Sequence, residues 1–255
     1  MVFASSLIST NYFLPVNRAL VSQGSIVHRI KIVVVGIFLL VVLAGVFSQR
    51  HALACEAVEL SDYEQVAPNI FASSSVENIE QVLRSILDGK QRVDSTFGEM
   101  VASPKIVIVG NKVEANNFGA NSTATAYYTP MGTCIILGPK GQNVDVAAHE
   151  LTHSEVGQRI GWLTHWLEIP VWFNEGVALI VDHRKPFLID NINVSPEAID
   201  AVKQLNTGRE FFGVTNTHEN YVASRMAVNN LEPLQLYQKL ERVRNGESFE
   251  SVFEI

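Results

Sequence analysis

The chain has 255 residues, 47% of them hydrophobic, and a formal net charge of −7. That length suits one domain or two small ones, and that apolar share excludes a disordered chain. The charge is uneven: residues 1–54 carry four basic residues (Arg18, Arg29, Lys31, Arg50) and no acidic ones, which leaves 15 basic against 26 acidic residues, a net of −11, in the remainder. A body that acidic repels a phosphate backbone, so no nucleic-acid partner is expected.

Ile32 to Phe47 is an unbroken run of 16 apolar or glycine residues. As a helix it reaches about 24 Å, a little short of the ~30 Å hydrocarbon core of a bilayer. It has no polar face, which argues against a buried core helix. Arg29 and Lys31 stand directly before it, so the N-terminus is expected in the cytoplasm and the body outside, anchored through residues 32–47. Ala52-Leu53-Ala54 resembles a signal-peptidase site, and cleavage after Ala54 would make the body a secreted protein. Leu53-Ala54-Cys55 has a trace of a lipoprotein box, opposed by Ala52 and by the charges separating it from the apolar run. The expected division is therefore 1–54, a cytoplasmic N-terminus plus signal anchor or signal peptide, and 55–255, a globular domain. The two cysteines, Cys55 and Cys134, have no metal-cluster spacing; in an exported domain they can pair, although their sequence separation leaves the geometry open.

From Cys55 the pattern is that of a folded domain. Val76, Ile79, Val82, Leu83, Ile86 and Leu87 form one helical stripe, and Gly89 is the expected end of that helix. Lys105 to Val109 reads as a buried strand. Thr125–Tyr128 and Cys134–Leu137 read as two more, joined by a hairpin turn over Thr129-Pro130-Met131-Gly132. Helices are expected over Val144–Ile160, Trp172–Asp182, Pro196–Leu205, Tyr221–Leu231 and Pro233–Val243, with prolines in first turns. A small sheet followed by helices defines the α+β class.

His149-Glu150-Leu151-Thr152-His153 is an HExxH motif. On a helix, residues i and i+4 share a face, so both imidazoles can bind one Zn²⁺, while Glu150 can reach a water on it without ligating. The alternative is a pair of surface histidines on an amphipathic helix. Glu175, alone among the apolar residues of Pro170 to Ala178, supplies a third ligand; two histidines and one carboxylate leave a position open for water. Its alternative is a first-turn glutamate favoured by the helix dipole.

These two segments, AHELTH and WFNEGVA, carry a family likeness. The chain resembles the gluzincin metallopeptidases, the group that includes thermolysin and the zinc aminopeptidases, and is most similar to compact peptidase-MA-like domains. The likeness spans roughly residues 76–253 and implies a zincin-like fold. It implies His149, His153 and Glu175 as zinc ligands and Glu150 as general base for a metal-activated water that cleaves a peptide or protein substrate. Asp182, seven residues after Glu175, matches an acid that orients a ligand imidazole, or is a solvated acid at a helix end. Tyr221 matches the tyrosine that stabilises the oxyanion, or is a packing residue. The Gly-x-Met-Glu-Asn amine anchor of the aminopeptidases is absent, and no acid lies between Glu114 and Asp145, so endopeptidase activity is expected over aminopeptidase activity. The strand Cys134–Leu137 is the expected docking edge for an extended peptide. A zinc-stabilised scaffold without catalysis is the rival reading, against which an intact Glu150 weighs. His28, His51, His165, His183 and His218 are expected in solvated or hydrogen-bonded roles, and Trp162, Trp166 and Trp172 in core or cleft wall, with no binding platform among them.

Overall fold

Apolar residues at spacings of two and of three to four build, in turn, a small sheet and the helices that cover it. The structure is a computed structural model and describes residues 18–213 and 215–254. The chain divides into two units, residues 1–49 and 50–255. In the first, helix α1 covers Arg18–Ser48. Its stretch Ile30–Ser48 has 19 residues and a mean hydropathy of 2.9, with none of it buried. At 1.5 Å per residue that is about 28 Å, enough to cross a bilayer. Residues 1–17 of the expected leader lie outside the described residues.

The second unit opens with α2 (Arg50–Glu56), which buries Ala52 and Cys55. The expected boundary at 54/55 falls inside this helix. Cys55 is joined to Cys134 by a disulfide; its sulfur is therefore committed and takes no lipid. Two strands without a sequence signal follow, β1 (Glu64–Ala67) and β2 (Ile70–Ala72). They are too short, and β1 too exposed, for alternation to mark them.

Helix α3 (Ile79–Phe97) starts at Asn78, whose side chain accepts from the Gln81 N–H, and buries Val82, Ile86, Val93 and Phe97. It does not stop at Gly89 as the sequence pattern predicts. Gly89 is mid-helix because another helix crosses there: a Cβ at this position would stand 2.9 Å from the backbone nitrogen of Ala148. Ala is the better helix former by about 1 kcal/mol, yet Gly89→Ala is expected to destabilise the protein by about 1–3 kcal/mol through overpacking. Thermal unfolding of the variant checks this, and a raised midpoint would contradict the close approach.

Strand β3 (Lys105–Ile108), helix α4 (Lys112–Asn117), and strands β4 (Ala124–Thr129) and β5 (Gly132–Leu137) complete the sheet, in the order β1-β2-β3-β5-β4. The three pairs β2–β3, β3–β5 and β4–β5 are parallel, parallel and antiparallel, and β1 runs antiparallel to β2. Thr129 pairs with Gly132 across a two-residue turn, Pro130-Met131. Ile106, Ile108, Ile135 and Leu137 face the main core with the helices; Val107, Cys134 and Ile136 face a smaller core with Cys55, Val58 and Phe118. Because β5 is paired on both sides, it cannot accept a peptide, which corrects the expected docking edge. The edge strand beside it is β4.

Helix α5 (Val144–Ile160) matches its predicted span; Asn143 caps it by accepting from the Val146 N–H at 3.1 Å, and Gly161 ends it with φ +85°. Nearly every residue from Val146 to Gly157 is buried. Helices α6 (Trp162–Glu168), α7 (Val171–Ala178), α8 (Pro196–Val202), α9 (Gly208–Phe212), α10 (Thr217–Ala227), α11 (Leu236–Arg244) and α12 (Phe249–Phe253) follow. Helix α7 ends four residues earlier than predicted, so Asp182 is not on it. Pro233 opens a short 3-10 turn ahead of α11 and not the helix itself. Trp172 is core and Trp162 lines a cleft, both as expected, whereas Trp166 projects outward from α6.

Candidate metal centre

The site forms where α5 and α7 cross in the main core. One turn of α5 stacks His149 and His153 on one face, and their Nε2 atoms lie 3.1 Å apart. From α7, Glu175 Oε2 reaches His149 Nε2 at 3.3 Å and His153 Nε2 at 3.6 Å. All three residues are buried, and together they could hold a metal ion. The donor geometry can be tested against an ion. A tetrahedral centre at about 2.0–2.1 Å from each ligand sets the ligands about 3.3–3.4 Å apart, and the three observed edges bracket that value. The hydrogen-bonding points the same way: two facing imidazole nitrogens can share at most one proton, and Glu175 Oε2 is buried without a hydrogen bond. A cation satisfies all three donors at once.

Backbone packing places Glu175. A Cβ on Gly176 would fall 2.5 Å from the carbonyl oxygen of Ser224, so the glycine lets α10 lie directly on α7. Tyr221 is one turn before Ser224 on the same face of α10. Its ring sits among Phe187, Phe211 and Phe212. Burial raises its pKa, and the Glu175 and Glu150 carboxylates add to that, so the phenol keeps its proton beside the acidic site.

Electrostatics divide the acids. Burial opposes ionisation of Glu175, but the charge of His153 and the close approach of both imidazoles outweigh it and hold its pKa at about 2. Burial raises the pKa of Glu150, against the opposing charges of His149 and His153. A carboxyl with a raised pKa that feels every ligand charge is suited to taking up a proton. Burial likewise disfavours a charged His149, yet Asp182 and Glu175 overcome this and lift its pKa to about 10.

Asp182 Oδ2 lies 3.5 Å from His149 Nδ1, an ion-pair contact too long for a good hydrogen bond. Arg184 holds the other side of that carboxylate, its Nε at 2.8 Å from Oδ1 and its Nη2 bonded to Oδ2. Asp182 arrives there by a turn after α7, pinned where Arg92 Nη1 donates to the Val181 carbonyl at 2.9 Å and to Asp145 at 2.6 Å. The seven-residue helical repeat that singles it out in the sequence is not what places it. His153 Nδ1 is buried without a partner.

Three further residues approach the site: Asn174, Tyr128 and His165. Asn174, beside Glu175, donates from Nδ2 to Tyr128 Oη at 2.9 Å. The Tyr128 ring lies against α5 at Gly157, where a Cβ would come within 2.8 Å of it. It stacks on His165 with ring centroids 3.9 Å apart. Burial and the neighbouring His153 lower the His165 pKa to about 4, so the imidazole stays neutral. The Tyr128 phenol accepts from Asn174, leaving its own O–H free to donate, and it feels both Glu175 and Glu150. The asparagine of Asn-Glu-Gly was the one available signal; nothing local distinguishes Tyr128 or His165.

The arrangement thus defines a buried two-histidine, one-carboxylate centre with a further glutamate beside it. Compared with family models, curated proteins and solved structures, the chain matches none of them.

Proposed function

We propose that the chain is a zinc-dependent peptidase of the gluzincin type, with a zincin-like fold, held by its N-terminal helix on the outer side of a membrane. The observation that carries this is the meeting of His149 Nε2, His153 Nε2 and Glu175 Oε2 at spacings that fit one tetrahedral ion. A two-histidine, one-carboxylate donor set suits zinc and leaves an open position, as catalytic sites do. An ion held by His149, His153 and Glu175 would supply Lewis acidity toward a water molecule and the scissile carbonyl. Glu150 takes the proton of the attacking water as the new C–O bond forms and returns it to the leaving amine as the C–N bond breaks. Tyr221 donates to the developing oxyanion. Tyr128, hydrogen-bonded to Asn174 next to Glu175 in the chain, is a second phenol for the same task. An extended peptide adds to the outer edge of β4, the strand that carries Tyr128, by main-chain hydrogen bonds. Asp182, backed by Arg184, sets the orientation of the His149 ring.

The anchor reading rests on the 19-residue apolar stretch and on Arg29 and Lys31 at its N-terminal side. A disulfide between Cys55 and Cys134 agrees with an oxidising compartment outside the cytoplasm.

Metal analysis of the purified full-length chain tests the ligand set. The expected content is one zinc per chain, lost in Glu175→Ala and in His153→Ala. Wild-type zinc in both variants breaks the assignment.

A further inference from the structure

Helix α6 is inside out. Trp162, Leu163, Trp166 and Leu167 lie at i, i+1, i+4 and i+5, which places them on one face. That face is outward: the four are 45, 53, 74 and 61% exposed. The polar residues Thr164 and His165 turn toward the protein, His165 onto the Tyr128 ring. No residue of this helix is buried. Met131, 72% exposed at the β4–β5 turn, lines the same cleft as Trp162. Elsewhere in this unit the exposed large apolar residues, such as Leu60, Leu87 and Val113, are isolated in sequence, with no run to compare with Trp162-Leu163 and Trp166-Leu167. Scattered apolar residues need no explanation, whereas a contiguous Trp-Leu face marks an interaction surface.

We infer that this face, α6 with the Met131 turn, seats in the headgroup–acyl boundary of the bilayer that carries the N-terminal helix. The inference rests on the anchor reading above. Connectivity favours lipid as the occupant: the apolar stretch ends at Ser48 and the globular unit begins at Arg50, so a single residue separates them. A unit tethered so closely remains within reach of the membrane surface. The chemistry agrees, since tryptophan prefers the interface and leucine the acyl side of it. The unit from Arg50 onward carries 16 basic and 26 acidic residues, a net of −10, which gives no net attraction to anionic headgroups, so the contact is expected to be mainly apolar and little affected by salt.

The test uses the full chain in phosphatidylcholine nanodiscs, with and without brominated acyl chains. Tryptophan emission is the readout, because Trp172 is buried in the core and acts as an internal reference. Bromolipid is expected to quench most of the emission from Trp162 and Trp166, assigned with Trp162→Phe and Trp166→Phe, and added salt to leave that quenching unchanged. In Leu163→Ser with Leu167→Ser, which retains all three tryptophans, the quenching should fall severalfold. Full access of both tryptophans to aqueous iodide with no bromolipid quenching overturns the inference. So does protection from both quenchers with two chains per disc, which would assign the face to a second copy. Failure of the anchor reading is separately visible as chain that does not stay with the discs; brominated vesicles added to that chain then test the face alone, with quenching supporting it and none refuting it.

Discussion

Glu150→Gln should retain a full complement of zinc and lose turnover by about 10²–10⁴-fold, the usual contribution of a general base. The substitution keeps the shape of the side chain and takes away only its capacity to accept and return a proton. His149, His153 and Glu175 are untouched, so metal content separates loss of chemistry from loss of the site. Glu150 is buried, and its raised pKa reflects that burial; an amide there relieves the cost of an enclosed charge, so the variant should be no less stable. Turnover is measured on denatured casein and a mixed fluorogenic peptide library, since side-chain preference is not encoded in the residues described. Undiminished activity in the variant removes Glu150 from the mechanism. Zinc without turnover in the wild-type chain as well would favour the scaffold reading over the peptidase.

Glu155→Ala is expected to cost about 3–5 kcal/mol of stability, the range for breaking a buried ion pair from one side. Glu155 is fully buried on α5, the helix that carries His149 and His153. Its carboxylate accepts from the Val101 N–H at 3.0 and 3.1 Å, from the Ala102 N–H at 2.7 Å and from Arg159 Nε at 2.5 Å. Alanine leaves these donors without their acceptor. Arg159 retains only the Tyr237 ring, the Glu99 carbonyl and a long contact to Glu241. By contrast Arg84→Ala, at the exposed Glu80–Arg84 pair, should change stability by less than about 1 kcal/mol. Thermal unfolding of the two variants side by side decides the matter; equal small effects would mean that Glu155 does not brace α5.

The hierarchy of these effects follows the construction of the site. Helix α5 supplies both histidines, and it is held by Glu155 toward its C-terminal end, by Arg92 at Asp145 near its start, and by α3 at Gly89. Very little of it is free to move. The spacing of His149, His153 and Glu175 is therefore a property of the core, and damage to the core far from them should loosen the site.

The amino-acid order by itself determined the parts of the protein that depend on neighbours within a turn or two. The pairing of His149 with His153 is set by helical geometry, the span Val144–Ile160 by Asn143 and Gly161, and the hairpin by the Pro130-Met131 turn. The apolar run before Ser48 is legible for the same reason. Glu175 stood out because a lone acid amid apolar residues is costly to bury, but its distance to the histidines came only from the crossing of α5 and α7. Tertiary structure alone decided that Gly89 permits a crossing and does not end a helix, that Asp182 reaches His149 from a turn, and that Tyr128 meets Asn174 from across the sheet. It also decided that Trp162 and Trp166 face outward. Periodicity reports which face of an element is apolar; what that face meets depends on residues tens of positions away, and no local pattern records them.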